Sequence, residues 1–297
     1  MKIDSHHHFW DYSVENYPWI GEGMEVLATD YGPTQLQPLV DADGIDRVIS
    51  VQARQNLEET YWLAKIASDH PSLIAGTVGW VHFANANIEQ VLSEVLQSQH
   101  AKYILGFRHV VQDEPDDDFL LREDFSSGVG ALLPHDRVFD ILIYARQLPA
   151  TLKFVDRHPN QTFVLDHIAK PAIPSATSSG RPAEMDAQWE RLFRELAKRS
   201  NVACKFSGVV TEIPADASGN CDWDAQSIRP YWDVALEAFG AQRLMFGSDW
   251  PVALLRTGYQ QWVTAVQSLA GQLSEDEQKA FWGGNASKAY KTPLTQE

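Results

Sequence analysis

The stretch TFVLDHIA (162–169) runs from apolar side chains into an acid and a histidine. Short runs rich in Val, Ile, Leu and Phe are typical of strands that are buried on both faces, as in parallel sheets. The sequence contains eight such runs: KIDSHHHF (2–9), RVISVQA (47–53), LIAGTVGWV (73–81), YILGFRHV (103–110), VFDILIYA (138–145), TFVLDHIA (162–169), VACKFSG (202–208) and RLMFGSD (243–249).

Apolar residues at helical spacing lie between these runs. One stripe is formed by Ile88, Val91, Leu92, Val95 and Leu96, a second by Trp189, Leu192, Phe193 and Leu196, and a third by Trp232, Ala235, Leu236 and Phe239. Such spacing predicts helices that cover the strands. The sequence therefore predicts an α/β fold, a (β/α)8 TIM barrel formed by residues 1–297 as a single domain. A doubly wound open sheet is the alternative, but no GxGxxG or P-loop follows an early strand.

Charge and composition exclude several classes of partner. The formal net charge is −16, which disfavours binding to nucleic acid and to anionic lipid surfaces. The two cysteines, Cys204 and Cys221, form neither a metal-type pair nor a disulfide framework. No run of 18 apolar residues and no export signal is present, so we expect a cytoplasmic protein without a membrane span.

Polar and aromatic residues mark the ends of the predicted strands. In a TIM barrel the carboxyl ends of the strands face the mouth where chemistry occurs. These ends carry Asp4, His6, His8, Gln52, Arg54, Trp80, His82, Arg108, His109, Tyr144, His167, Lys170, Lys205, Asp249 and Trp250. The recurrence of such residues at every strand end predicts one polar site.

The histidines of IDSHHHFW (3–10) alternate across a strand, so His6 and His8 share one face and His7 points the other way. Neutral imidazoles two residues apart suit a metal ligand pair, although a hydrogen-bonded polar strand end explains them equally well. Asp249 is either a carboxylate at the mouth or an N-cap before Pro251. His167 is either part of the same site or a histidine of the core whose hydrogen-bonding groups all have partners.

Several motifs together resemble the amidohydrolase superfamily, in the branch that contains sugar lactonases and 2-pyrone-4,6-dicarboxylate lactonase. They are DSHHHFW (4–10), GFRH (106–109), LDHIAKP (165–171), KFSG (205–208) and FGSDWP (246–251). The resemblance implies a carboxylic-ester hydrolase that opens aldono-lactones, such as L-fucono- or L-rhamnono-lactone, during deoxysugar breakdown. Its partner would be a small sugar lactone.

The resemblance also bears on metals. Binuclear members of the superfamily carry a lysine at the fourth strand, whereas YILGFRHV (103–110) ends in Arg108 and His109. Two metals are therefore not expected. A single divalent metal such as zinc could be held by His6, His8 and Asp249, but the resemblance to this branch implies that none is required.

We interpret the residues as follows. Asp249 takes a proton from water that His167 holds, and a buried carboxylate with a raised pKa would favour this. The carbonyl oxygen is polarised by His6, His8 and a cation, Arg108 as first choice and Lys205 as second. The predicted substrate-binding residues are Arg54, Trp80, His109, Tyr144, Lys205 and Trp250.

Two other functions compete with this hypothesis. One is a metal-dependent decarboxylase or another hydrolase of the same superfamily, with an obligatory zinc. The other is a non-catalytic protein that binds sugar acids, because a fold does not fix a function. The sequence leaves open the lactone stereoisomer, the ring size and the oligomeric state.

Overall fold

The computed structural model describes residues 1–174, 185–215 and 221–292, and its core is one sheet of eight parallel strands. The strands follow one another in chain order: β1 Ile3–His7, β2 Arg47–Val51, β3 Ile74–Gly79, β4 Ile104–Val110, β5 Val138–Leu142, β6 Phe163–Leu165, β7 Val202–Phe206 and β8 Leu244–Phe246. All eight predicted runs contain a strand, so the prediction of an eight-stranded barrel rather than an open sheet is confirmed.

The first and last strands meet and nearly close the barrel. The backbone N–H of His8 donates to the carbonyl of Trp250 at 2.7 Å, and that of Asp249 donates to the carbonyl of His6 at 2.8 Å. The carboxylate of Asp4 adds a third hydrogen bond between these two parts of the chain, because it accepts from the backbone N–H of Ser248 at 2.8 Å. These bonds bring β1 and the segment that follows β8 side by side at the mouth of the barrel.

Helices cover the outer face of the sheet. Their bounds are α1 Pro33–Asp43, α2 Leu57–Asp69, α3 Ile88–Leu96, α4 Glu123–Gly130, α5 Leu148–Arg157, α6 Ala187–Leu196, α7 Ala225–Phe239, α8 Tyr259–Ala270, α9 Glu275–Lys279 and α10 Asn285–Tyr290. The three apolar stripes of the sequence fall on α3, α6 and α7, which confirms those helices. None of the helices in the described ranges is long and apolar enough to span a membrane.

The apolar core has two parts. A large cluster lies between strands and helices and includes a run of phenylalanines, among them Phe107, Phe139, Phe154 and Phe163. A smaller cluster joins inward-facing strand residues with the alanines and Tyr290 of α10. The helix α10 thus covers one end of the barrel interior, and its Tyr290 donates to the buried carboxylate of Asp140 at 2.7 Å.

Candidate active site

The histidine triplet of β1 divides between the two faces of the barrel wall. Nε2 of His6 lies 3.3 Å from Nε2 of His8, so these two imidazoles meet inside the barrel. His7 turns away, and its Nε2 lies 2.9 Å from the hydroxyl of Ser50. Nδ1 of His8 donates to the carbonyl of Val51 at 2.8 Å, which fixes the orientation of the ring. The alternation predicted for residues 6–8 is confirmed.

Asp249 faces three imidazoles. Its Oδ1 lies 3.4 Å from Nε2 of His8, 3.7 Å from Nε2 of His6 and 3.9 Å from Nε2 of His167. All four side chains are buried. The 3₁₀ turn that follows has no side-chain cap, so the alternative of an N-capping Asp249 is not realised. The structure thus brings together the four residues on which the sequence hypothesis depended.

His167 stands on an unusual turn after β6. The φ angles of His167, Ile168, Ala169 and Lys170 are 53°, 48°, 61° and 45°, so four successive residues are left-handed. This conformation costs roughly 1–2 kcal/mol per residue for L-amino acids. The turn is held by Lys170 N–H donating to the carbonyl of His167 at 2.8 Å and by Trp189 Nε1–H donating to the carbonyl of Ile168 at 2.9 Å.

Gly208 allows His167 and Asp249 to come this close. Its φ is +60°, and a β-carbon there would lie 2.5 Å from Nδ1 of His167 and 2.9 Å from Oδ2 of Asp249. The preceding Ser207 places its hydroxyl 2.9 Å from the same Nδ1. A glycine is therefore needed at this position for steric as well as conformational reasons.

A layer of buried charges lies beneath the imidazoles. Lys205 Nζ donates to Asp140 Oδ2 at 2.6 Å and lies 3.0 Å from Asp166 Oδ1 and 3.3 Å from Nδ1 of His6. Arg108 Nη1 donates to Asp166 Oδ2 at 3.0 Å, and its Nη2 donates to the carbonyl of Gln52. The sequence hypothesis did not include Asp140 or Asp166. The signal for both was an acid within or directly after an apolar strand.

Burial and neighbouring charges set the protonation states. Burial lowers the pKa of His167 to about 4 and lowers that of His6 well below its usual value, so both are neutral at pH 7. Burial raises the pKa of Asp249, but the imidazoles of His167, His8 and His6 outweigh this and bring it below its ordinary value. The shift therefore runs opposite to the raised pKa that would favour proton abstraction by Asp249, and the carboxylate is ionised at neutral pH.

The three donors His6, His8 and Asp249 fit one divalent metal. A tetrahedral zinc site with bonds of 2.0–2.1 Å separates its ligand atoms by about 3.3–3.4 Å, close to the distances observed here. Because Nδ1 of His8 faces a carbonyl, it carries the proton and Nε2 presents a lone pair. Nδ1 of His6 faces both the ammonium of Lys205 and the carboxylate of Asp166. The proton of the His6 ring can therefore be on Nδ1 or on Nε2.

A second metal fits poorly. His6, Asp166 and His167 form another group of close ligand atoms. However, the carboxylate of Asp166 already faces the ammonium of Lys205 and the guanidinium of Arg108. Those two cations would repel a metal ion there, and the absence of a second metal stays a prediction.

A cavity of about 460 Å³ opens above Asp249. Six of the residues named from the sequence line it: His8, Arg54, Arg108, His167, Lys170 and Asp249. The remaining described lining residues are Glu15, Asn16, Pro18, Trp19, Ala53, Gln55, Asn56, Val110, Gln112, Asp113, Leu142 and Val252. The segment from Glu15 to Trp19 was missed because it has no periodic pattern. Within this segment Trp19 is 39% exposed, which only the structure reveals.

Two predicted substrate-binding residues lie outside the barrel wall. Trp80 Nε1–H donates to Nδ1 of His109 at 3.2 Å, and Nε2 of His109 lies 2.8 Å from Glu114 Oε1. The His109 ring stacks on Phe119 with centroids 5.1 Å apart. Trp80 and His109 are therefore corrected from cavity residues to parts of a packed polar chain. The cause is strand alternation, since His109 faces away from the side that Arg108 occupies.

Three further expectations need correction. Trp250 is 2% exposed and packs edge-on against Tyr31 at 5.0 Å, so it does not line the cavity. Lys205 is fully buried because it lies within β7 and not at its end. Tyr144 is half-buried beside the cavity, with its ring centroid 5.5 Å from Lys170 Nζ, and is not a lining residue.

Comparison with known proteins agrees with this geometry. A family model described as amidohydrolase matches residues 3–292. The chain belongs to the amidohydrolase family. This amidohydrolase is 42% identical to an L-fucono-1,5-lactonase of Burkholderia multivorans over 99% of this chain and 97% of that protein. It is 32% identical to an L-fucono-1,5-lactonase of Burkholderia ambifaria, over 98% of this chain and 96% of that protein.

A solved structure is similarly close. The amidohydrolase matches a crystal structure of an amidohydrolase from Burkholderia multivorans with bound zinc, at a TM-score of 0.89 and 42% identity. The match covers 99% of this chain and 100% of the other. The predicted resemblance to the superfamily is thus confirmed along the length of the chain.

Proposed function

We propose that this amidohydrolase hydrolyses an aldono-lactone to the sugar acid, with L-fuconolactone-like deoxysugar lactones as the substrate class. The observation that carries the proposal is an ionised Asp249 within 3.9 Å of three buried imidazoles at the base of a cavity. A sugar-binding protein without catalysis has no use for such a base. The names of the two Burkholderia relatives support the choice of a lactone.

The cavity is suited to a small polyhydroxylated ring. Its volume falls within the usual range for small-molecule sites. Glu15, Asn16 and Asp113 offer acceptors for hydroxyl groups, and Trp19 offers an apolar face. Arg54 stands at the rim, with its guanidinium 5.6 Å from the centroid of the Tyr17 ring. We assign these side chains to recognition of the sugar.

Asp249 acts first as base and then as acid. Its carboxylate takes a proton from a water that His167 orients, and the water oxygen attacks the lactone carbonyl carbon. The electron pair of the carbonyl bond moves to its oxygen, where the guanidinium of Arg108 stabilises the charge and His6 donates when its proton is on Nε2. His8 does not donate to this oxygen, because its Nε2 presents a lone pair. When this intermediate collapses, the bond to the ring oxygen breaks. Asp249 then returns its proton to that oxygen and releases the hydroxy acid.

His6, His8 and Asp249 would hold a single divalent metal. When bound, such an ion would polarise the carbonyl or lower the pKa of the attacking water. We keep the prediction that no metal is required, because the cation Arg108 lines the cavity beside Asp249.

A screen against aldono-lactones with a pH indicator tests the proposal. We expect acid release from a deoxysugar lactone by the purified protein, and we expect it to persist after dialysis against a chelator. Activity that is lost on chelation and restored only by zinc or manganese would contradict the metal-free prediction. Release of carbon dioxide from aromatic carboxylates, or tight binding of sugar acids without turnover, would replace the proposed function.

The organisation of residues 1–297 as one domain and the cytoplasmic location stay predictions. Limited proteolysis checks the first, because a single domain yields one resistant core. Cell fractionation checks the second.

A further inference from the structure

Lys170 is a cation of the cavity to which the mechanism above assigns no role. Its side chain lines the same cavity as Asp249 and His167. Nζ lies 3.6 Å from Oε1 of Glu212, which is long for a hydrogen bond, and 5.5 Å from the centroid of the Tyr144 ring. Lys170 thus shares the cavity with the base, and its ammonium is flanked by a carboxylate and an aromatic face.

The left-handed turn after β6 presents two side chains to the cavity. Of its four residues, His167 and Lys170 line the cavity, while Ile168 and Ala169 are fully buried in the apolar core. Strained backbone persists only where the surrounding structure enforces it, and such segments cluster at functional sites. The conformation that positions His167 therefore also positions Lys170 three residues later.

The other cations near Asp249 already make ion pairs or hydrogen bonds inside the protein. Arg108 donates to Asp166 and to the carbonyl of Gln52, and Lys205 lies between two aspartates with no exposed surface. Lys170 differs, since its side chain is 15% exposed. It can reach a bound ligand without breaking a buried ion pair.

Glu212 belongs to the same electrostatic environment. Burial raises the pKa of Glu212, Lys170 lowers it in part, and Asp249 raises it again. The acid therefore interacts with both the cation and the proposed base. A carboxylate in this position holds the ammonium of Lys170 at the edge of the reaction centre.

We propose that Lys170 is a further catalytic residue, whose ammonium stabilises the negative charge that develops on the ester group as the lactone opens. The inference rests on the proposed lactonase function. Charge stabilisation by a fixed cation in a water-poor site is worth more than in solution, because the local dielectric is low. Lys170 transfers no proton in this step, and the proton that reaches the ring oxygen is the one that Asp249 took from water.

Lys170→Met is the decisive variant, because methionine keeps the unbranched stem and meets the same backbone strain. We expect kcat on the best lactone to fall on the order of 100-fold, as for the loss of one stabilising group, with little change in KM. Lys170→Arg should recover part of kcat. Lys153→Met, on the exposed face of α5, is the matched control and should keep wild-type kinetics.

Glu212→Gln provides a second measurement that keeps the cation. We expect a smaller fall in kcat, about tenfold or less, because Lys170 remains charged but is less well oriented. Circular dichroism and thermal melting show whether each variant folds.

The possible outcomes separate the two proposals. A Lys170→Met protein with wild-type kcat, or with only a raised KM, would overturn the catalytic assignment, since an interaction equal in the ground and transition states changes KM alone. Should Lys170→Met not fold, Lys170→Gln removes the same charge, and wild-type kcat in that variant would overturn the assignment. A wild-type protein that opens no lactone would instead overturn the proposed function.

Discussion

Adjacent residues at the mouth of this barrel have opposite surroundings. The inward members are His6, Arg108 and Asp249, and their immediate neighbours are His7, His109 and Trp250. The inward side chains contact one another or a shared set of charges. The neighbours are satisfied by separate partners, such as Ser50 for His7 and Glu114 for His109.

The difference shows that residue type does not by itself mark a catalytic group. Histidine occurs on both sides of the wall, and His109 makes bonds as good as those of His6. Only the inward residues converge on one cavity. Substitutions on the inner side should therefore change kcat, and substitutions on the outer side should change stability.

The largest effect is expected for Asp249→Asn. The amide cannot accept a proton from water, so kcat should fall roughly 100-fold or more, while the fold is kept. Steady-state kinetics on the best lactone measures this. Asp276→Asn, at a side chain that is 91% exposed on α9, is the control. Near-normal turnover by Asp249→Asn would remove the proposed base.

Gly208→Ala tests the close approach between His167 and Asp249. Its β-carbon would push these two groups apart, so we expect kcat to fall about tenfold and stability to fall by about 1–3 kcal/mol. Gly44→Ala is the matched control, because Gly44 has φ +64° with nothing within 4 Å of a β-carbon. Gly44→Ala should lower the free energy of unfolding only by the strain of an alanine in the left-handed conformation, about 1 kcal/mol. Equal kinetics in both variants would contradict the steric argument.

Trp250→Phe tests the outer face next to Asp249. The smaller ring leaves a space against Tyr31, and we expect a loss of about 2 kcal/mol in the free energy of unfolding. In the folded protein kcat should stay near the wild-type value, because the indole does not line the cavity. Chemical denaturation and kinetics on the same sample give both values. A large rise in KM would restore Trp250 as a substrate-binding residue.

His109→Gln should have the smallest effect. It disturbs the bonds to Trp80 and Glu114, and we expect a loss of about 1 kcal/mol in stability with unchanged kcat and KM. Thermal melting and kinetics check this. A strong loss of activity would show that the hydrogen bonds among Trp80, His109 and Glu114 influence the reaction centre.

The sequence predicted the eight strands, the helices α3, α6 and α7, and the inward pair His6 and His8, because period-2 and period-3.6 patterns state directly which face is buried. Strand ends were less informative. Lys205 was predicted to lie at the mouth because the sequence does not show how deep in the barrel each residue of β7 lies. His109 was assigned to the cavity because residue type was weighed above alternation, whereas Trp80 and Trp250 follow the ends of β3 and β8, where alternation gives no direction.

Other features depend on tertiary structure. The left-handed turn at residues 167–170 has no glycine to signal it, and the strain is sustained by contacts such as the one from Trp189. The direction of the Asp249 pKa shift depends on three imidazoles from two different strand ends. The contribution of Glu15 to Trp19 depends on how a non-periodic loop lies over the mouth.

The seam between β1 and β8 has a consequence for folding. Asp4 and Ser248 are bonded across 244 positions of the chain, and His6 meets Asp249 beside them. Contacts of such separation form late, because long-range loop closure carries the greater entropic cost. Catalytic activity therefore requires that β1 and the end of β8 have come together to close the barrel. During refolding, activity should recover later than the helical circular dichroism signal.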